Sequence, residues 1–256
     1  MAWLIWTGTA HAGAWNLPKG EGQIITTYSY SQADKAYSDT DPDIEFIKDE
    51  LRIFYEHGLT DDLTLVANGA HQTVGFISSE SFINFNDFDK TELGLRYQLL
   101  RREGLAVSVQ GSYIIGGGPP ESILDIGNRE DSFELRGLWG QSREFENFVI
   151  FFDAQAAIRA RNTERIEDWR TDLTVGWKDK GRWMALLQGY HTERPSFGRD
   201  AFVGFMVPKQ TRTKLQASVV YELRKNVLVQ VGATHTLAGQ NIVKEQGVSL
   251  GFWLRY

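Results

Sequence analysis

Carboxylates and guanidinium groups recur two residues apart along this chain, and the chemistry of those pairs has to be settled first. Glu50 and Arg52, Glu134 and Arg136, Arg159 and Arg161, Glu222 and Arg224, and the run Asp168, Arg170, Asp172 all show this spacing. A period of two puts both members on one face of an extended strand. Facing carboxylates alone would suggest acid–base catalysis, but carboxylates interleaved with arginines suggest ion pairs. Glu92, Arg96, Asp153, Lys214 and Arg255 join the same set by parity.

The remaining chemical motifs fail on context. Gly247-Val248-Ser249-Leu250-Gly251 matches the G-x-S-x-G pattern, which requires a strand, a sharp turn and a helix. Here it sits inside an alternating strand close to the C-terminus, with no room for that helix. An outer-membrane phospholipase barrel would carry Ser and His on its lipid-facing wall; His235 is predicted outward but Ser249 inward. The five histidines, at 11, 57, 71, 191 and 235, form no HExxH or i,i+4 pair. Asp39-x-Asp41-x-Asp43 has Ile44 where a calcium loop needs glycine, and Asn84 to Asp89 reads likewise as a solvated polar stretch. Gly116-Gly117-Gly118-Pro119-Pro120 lacks the Lys and the helix of a phosphate loop. No catalytic residue, metal site or cofactor is therefore expected, and the chain does not read as an enzyme.

Composition narrows the partners. Across 256 residues there are 27 basic and 33 acidic side chains, a net charge of −6, which argues against a nucleic-acid partner. Cysteine is absent, so thiolate chemistry and disulfides are excluded together. After the N-terminus no run of 18 apolar residues offers a helical membrane span. Strands that cross a bilayer leave no such signature, because their signal is alternation.

Alternation is what the chain contains. Beyond residue 20 the sequence predicts strands over 22–33, 46–58, 62–73, 89–101, 105–116, 131–143, 147–160, 166–178, 182–193, 211–224, 227–238 and 244–256. Short turns at Thr60-Asp61-Asp62, 101–104, 143–146, 179–181 and Lys225-Asn226 alternate with longer loops at 34–45, 74–88, 117–130 and 194–210. Each strand is long enough for a tilted crossing, which takes about 9–11 residues. In the last strand Val248, Leu250, Phe252, Leu254 and Tyr256 share one face, and Ser249, Gly251, Trp253 and Arg255 the other. A soluble barrel would turn the apolar set inward; a charged set opposite every apolar set describes a barrel turned inside out. Trp183-Met184-Ala185-Leu186-Leu187 is apolar on both faces and its parity stays open.

Aromatics follow the same plan. Tyr55, Tyr97, Trp139, Trp177, Trp183, Tyr221 and Tyr256 fall near the turn end, and Tyr28, Tyr30, Tyr113, Trp169 and Tyr190 near the loop end. Tyr and Trp favour the headgroup level, where one part of the ring is apolar and the other wet. The fold expected is an all-β, twelve-stranded, antiparallel up-and-down transmembrane β-barrel, with the long loops outside the cell.

At the front, Met1 to Ala12 reads as the apolar end of an export signal closing on small-x-small, Ala10-His11-Ala12, without the usual basic start. Residues 1–12 are thus expected to be removed, leaving 13–256 as one barrel domain.

The ending Val248-x-Leu250-x-Phe252-x-Leu254-x-Tyr256 resembles the C-terminal insertion signal of bacterial outer-membrane barrels, with Phe252, Leu254 and Tyr256 as its core. That resemblance implies outer-membrane lipid and lipopolysaccharide as surroundings and the outer-membrane assembly machinery as a partner. Two stretches resemble a narrower family: Gly13-Ala14-Trp15-Asn16-Leu17-Pro18-Lys19-Gly20-Glu21-Gly22-Gln23 and Tyr55-Glu56-His57-Gly58-Leu59-Thr60-Asp61-Asp62-Leu63-Thr64-Leu65. They are similar to proteobacterial barrels named after a phenol-degradation meta pathway, with relatives encoded beside exopolysaccharide genes. The family has no catalytic motif to carry over.

Two features remain for function. The predicted lumen holds Glu50, Arg52, Glu92, Arg96, Glu134, Arg136, Asp153, Arg159, Arg161, Asp168, Arg170, Asp172, Lys214, Glu222, Arg224 and Arg255. Twelve strands lie between a filled eight-stranded barrel and a sixteen-stranded pore, so a narrow polar channel and a salt-bridged plug are both open. Phenylalanines gather in the predicted loops: Phe76, Phe82, Phe85 and Phe88 in 74–88, and Phe197, Phe202 and Phe205 in 194–210. They suggest a hydrophobic contact surface at the mouth. The sequence leaves two expectations: a monomeric passive channel for a small substrate with a hydrophobic or aromatic part, or a closed accessory barrel for an exported polysaccharide.

Overall fold

A computed structural model describes residues 13–37, 44–77, 82–117, 131–161, 166–195 and 209–256. The leader at 1–12, the Asp39–Asp43 triplet, and Phe197, Phe202 and Phe205 lie outside them. β-branched and aromatic residues in period-two alternation give extended backbone throughout, and the described residues contain no helix. The strands are β1 (Gly22–Ala33), β2 (Glu45–Gly58), β3 (Leu63–Ile77), β4 (Phe82–Phe88), β5 (Thr91–Arg102), β6 (Leu105–Ile115) and β7 (Ser132–Glu144). They continue as β8 (Phe148–Arg161), β9 (Ile166–Asp179), β10 (Trp183–Arg194), β11 (Gln210–Arg224), β12 (Val227–Gln240) and β13 (Gln246–Arg255).

Every pairing is antiparallel, and β1 pairs with both β2 and β13, which closes the sheet. Hydrocarbon offers no partner for an open edge, so closure satisfies the backbone of both end strands. At the seam Thr26 faces Phe252 and Ile24 faces Leu254. The Gly22 amide donates to the Tyr256 carbonyl at 2.9 Å, and the Tyr256 amide donates back to Gly22 at 3.0 Å. Asn226, at φ 70, turns the two-residue connection between β11 and β12.

The barrel has twelve staves although it has thirteen strands, because β4 and β5 together form one. β4 continues along β3 above β5: His71 faces Phe88, and Asn68 faces Glu92. Three steps along β3 are matched by four along its partner, so Asp89-Lys90 forms a bulge, held by the Asp89 amide on the Ala70 carbonyl at 2.8 Å. This corrects the predicted 74–88 loop. The segment mixes Phe and Ile with Asn and Asp on both faces and hides its alternation. The bulge then moves the outward set from even to odd numbers.

Outside, the wall is apolar: Leu93, Leu95, Leu135, Leu173, Val175, Leu187, Val219, Val231, Leu250 and Phe252 are all exposed. Tyr97, Trp139, Trp177, Trp183 and Tyr256 ring the turn end, and Tyr28, Tyr113 and Trp169 the loop end. Tyr190 departs from that girdle: it shares the inward face of β10 with Met184, Leu186 and Arg194. The same face settles the parity of the two-sided apolar run, with Trp183, Ala185 and Leu187 outward.

Candidate functional site

The interior has three levels. At the turn end an apolar cluster of Phe151, Met184, Leu186, Val220, Leu228 and Trp253 lines one side of the lumen. The Trp253 indole N–H, buried there, donates to Gln230 Oε1 at 3.0 Å. Facing it across the barrel lies the segment 13–17, which enters the lumen rather than joining the wall. Ala14 and Trp15 pack with Ala106 and Leu138.

That segment is held by the wall. The Ala14 amide donates to Asp153 Oδ2 at 2.9 Å, while its carbonyl accepts from Ser108 Oγ at 2.5 Å and Gln98 Nε2 at 3.2 Å. Asn16 Nδ2 donates to the Arg96 carbonyl at 3.4 Å. Beside it Glu56 accepts from Gln23 Nε2 at 2.5 Å and pairs with Arg96 at 2.7 Å, their side chains 1% and 4% exposed. The turn end of the lumen is therefore narrowed by an inserted strap, an ion pair and an apolar cluster.

At mid-height the wall carries most of the predicted charges. Arg136 bridges Glu134 at 2.7 Å and Asp172 at 2.5 Å, and Arg159 binds Glu134 at 2.9 Å. Asp168, fully buried, pairs with Arg170 and Arg194, each at 3.2 Å. Across the barrel Arg52 pairs with Glu50 at 2.9 Å and donates to Asn68 Oδ1 at 3.3 Å. Glu92 accepts from Ser112 Oγ at 2.6 Å and Gln110 Nε2 at 3.0 Å. This level is not filled: the side chains of Arg52, Asp172 and Arg170 keep 35%, 25% and 23% of their surface accessible.

Toward the loop end the described interior is apolar again on one side. Ala33, Ile44, Phe46, Val74, Phe76 and Val243 form a second apolar cluster, with Phe85 packed against it. Below it Glu245 accepts from Ser31 Oγ at 2.7 Å and pairs with Lys48 at 3.1 Å and with Lys214. Burial alone would raise the Glu245 carboxyl, but Lys214 and Lys48 hold it well below the ordinary carboxylate range.

Sequence parity brings most of the predicted lumen set together and misplaces part of the rest. Arg224 is exposed at the rim beside an irregularity in the β11–β12 register, which breaks the inward alternation at Glu222. Arg255 lies 5.8 Å over the Trp253 ring, and the side chain of Arg161 falls outside the described residues. The predicted mouth cluster divides: Phe76 and Phe85 join the inner cluster, whereas Phe82 and Phe88 are exposed on the outer wall, Phe88 edge-on to His71. No three metal-ligating side chains converge among the described residues. What sequence reading missed is the strap, whose only signal was an apolar Ala-Trp-Asn-Leu run ahead of the first strand.

No protein-family model matches the chain, and no curated protein matches it. Solved structures do. The COG4313 outer membrane channel from Pseudomonas putida F1 shares the architecture with a TM-score of 0.70 at 15% identity, covering 95% of this chain and 98% of its own. The NanC porin gives 0.54 at 7% identity over 90% of this chain and 98% of its own. The translocator domain of the autotransporter NalP from Neisseria meningitidis gives 0.53 at 10%, over 97% of this chain and 91% of its own. At such identities the likeness is one of architecture, and together with the apolar outer wall and the closed seam it makes this chain a twelve-stave β-barrel of the bacterial outer-membrane type.

Proposed function

We propose that this chain is a monomeric outer-membrane channel through which a small solute with a hydrophobic or aromatic body and a polar group moves down its gradient. The observation that carries the reading is the unfilled middle of the lumen. Charged side chains with accessible surface stand there between two narrower levels, which a wall held merely by its own ion pairs would not need. The Phe76 and Phe85 cluster supports an apolar body entering from the loop end, and Arg52, Arg170 and Asp172 would meet its polar group. Channels and porins among the similar structures support the class of activity, not the solute. The resemblance of residues 13–23 and 55–65 to the phenol-degradation barrels supports this choice of solute.

The test is reconstitution of the whole chain in planar bilayers and in liposomes loaded with small aromatic acids. Discrete current steps with solute flux are expected; neither steps nor flux would overturn the reading. The strap and the loop-end cluster favour one other reading, a closed accessory barrel for polysaccharide export. Glycosyltransferase genes beside this one, with no flux, would select it; aromatic-degradation genes would select the channel.

A further inference from the structure

Asp153 is a buried carboxylate, 1% exposed, on the inward face of β8. Its hydrogen bonds among the described residues come from neutral donors: the Ala14 amide at 2.9 Å and Gln155 Nε2 at 2.8 Å. No salt bridge to it is found among the described residues, whereas Glu56, Glu134 and Asp168 each hold an arginine. A buried carboxylate without a cation carries a desolvation penalty of several kcal/mol, about the cost that an ion pair offsets.

The nearest backbone explains what is missing. Gly13 is buried, has φ +99, and lies so close to Asp153 that a Cβ on it would sit 2.0 Å from Oδ2. Only glycine fits there, on both conformation and space. Gly13 also follows Ala10-His11-Ala12, the small-x-small run that ends the apolar leader. Cleavage after that run would leave a free α-amine on Gly13, the residue that lies against the Asp153 carboxylate.

We propose that the chain is cleaved between Ala12 and Gly13 and that the α-ammonium created there pairs with the Asp153 carboxylate, pinning the strap inside the lumen. An endopeptidase of the leader-removing class hydrolyses the Ala12–Gly13 amide with one water. Ala12 leaves with the new carboxylate, and the Gly13 nitrogen keeps the protons as an ammonium. Asp153 is then a binding site for the processed N-terminus. This assignment goes beyond the channel reading and holds whether or not the lumen conducts.

The experiment uses the full chain, expressed with its leader and extracted folded from outer membranes. Intact mass is expected to correspond to 13–256; a mass retaining residues ahead of Gly13 overturns the proposal. Labelling of the α-amine by an amine-reactive acylating reagent at neutral pH is then compared with Asp153→Asn. At least tenfold slower labelling is expected in the parent chain, and equal rates overturn the pair. Should Asp153→Asn fail to fold, a serine inserted between Gly13 and Ala14 serves instead. It displaces the amine while leaving Asp153 and the Ala14 bond in place. Labelling as slow in this insertion as in the parent overturns the proposal.

Discussion

The ring of Trp15 occupies the volume that a side chain on Gly140 would fill: a Cβ at Gly140 would lie 2.4 Å from Trp15 Cζ3. A residue of the strap and a residue of the wall are thus cut to fit each other. Gly140→Val should expel the ring and loosen the strap at a cost of about 1–3 kcal/mol, the usual penalty of overpacking. The barrel wall loses no backbone pairing, so heat-modifiable gel mobility should persist while single-channel current grows. An unchanged current would mean that the strap does not obstruct the lumen.

Glu134 touches three arginines, Arg136, Arg159 and Arg170, at 2.7, 2.9 and 3.9 Å. Glu134→Gln removes the shared anion and leaves these cations crowded in a confined space. A loss of about 3–5 kcal/mol is expected, as for one partner taken from a buried ion network. Adding Arg159→Met should recover part of it. Urea unfolding in lipid vesicles reads both, and a loss below about 1 kcal/mol would show that water screens the network.

Glu245 offers a pH test. Its folded carboxyl titrates well below the ordinary value, held there by Lys214 and Lys48 despite burial. A depressed carboxylate adds stability that is present above the unfolded pKa of about 4.3 and is lost as pH falls through the lower folded value. The stability gap between the parent chain and Glu245→Gln should therefore stay constant from about pH 7 to pH 5 and shrink only in stronger acid, below about pH 4. A gap that already closes between pH 6 and 5 would contradict the pairing.

The seam predicts two different failures. Phe252→Arg puts a guanidinium on the lipid face opposite Thr26. It should cost up to about 2–4 kcal/mol, with the smaller values nearer the interface. Deleting Tyr256 removes the reciprocal bonds to Gly22 and the hydroxyl contact with Tyr55 at 3.0 Å. Folded yield in the membrane fraction should fall through lost recognition by the assembly machinery, while refolding in detergent changes little. Equal folded yields in cells from both forms would mean that the terminal aromatic is not read as a signal.

What could be read from the residues alone was everything that the bilayer enforces. Hydrocarbon demands an apolar outer face, so Val248, Leu250, Phe252 and Leu254 had to alternate with Ser249, Gly251 and Arg255, and that period revealed strand, face and closure together. The outer wall is a local constraint, visible two residues at a time. The inside obeys no such rule, because water, ions, a side chain or another piece of chain can each fill it. Met184 and Leu186 share an apolar stretch with Trp183 and Leu187, and only their neighbours on β9 and β11 decide which pair faces inward. Tyr190 has a girdle residue's chemistry and a lumen residue's position. The bulge at Asp89-Lys90 reverses parity without a Gly or Pro to announce it, so even-numbered Phe88 and odd-numbered Leu93 both face outward. Trp15 and Gly140, or Gly13 and Asp153, lie more than a hundred residues apart in sequence, and their fit exists only once the barrel has closed around the strap.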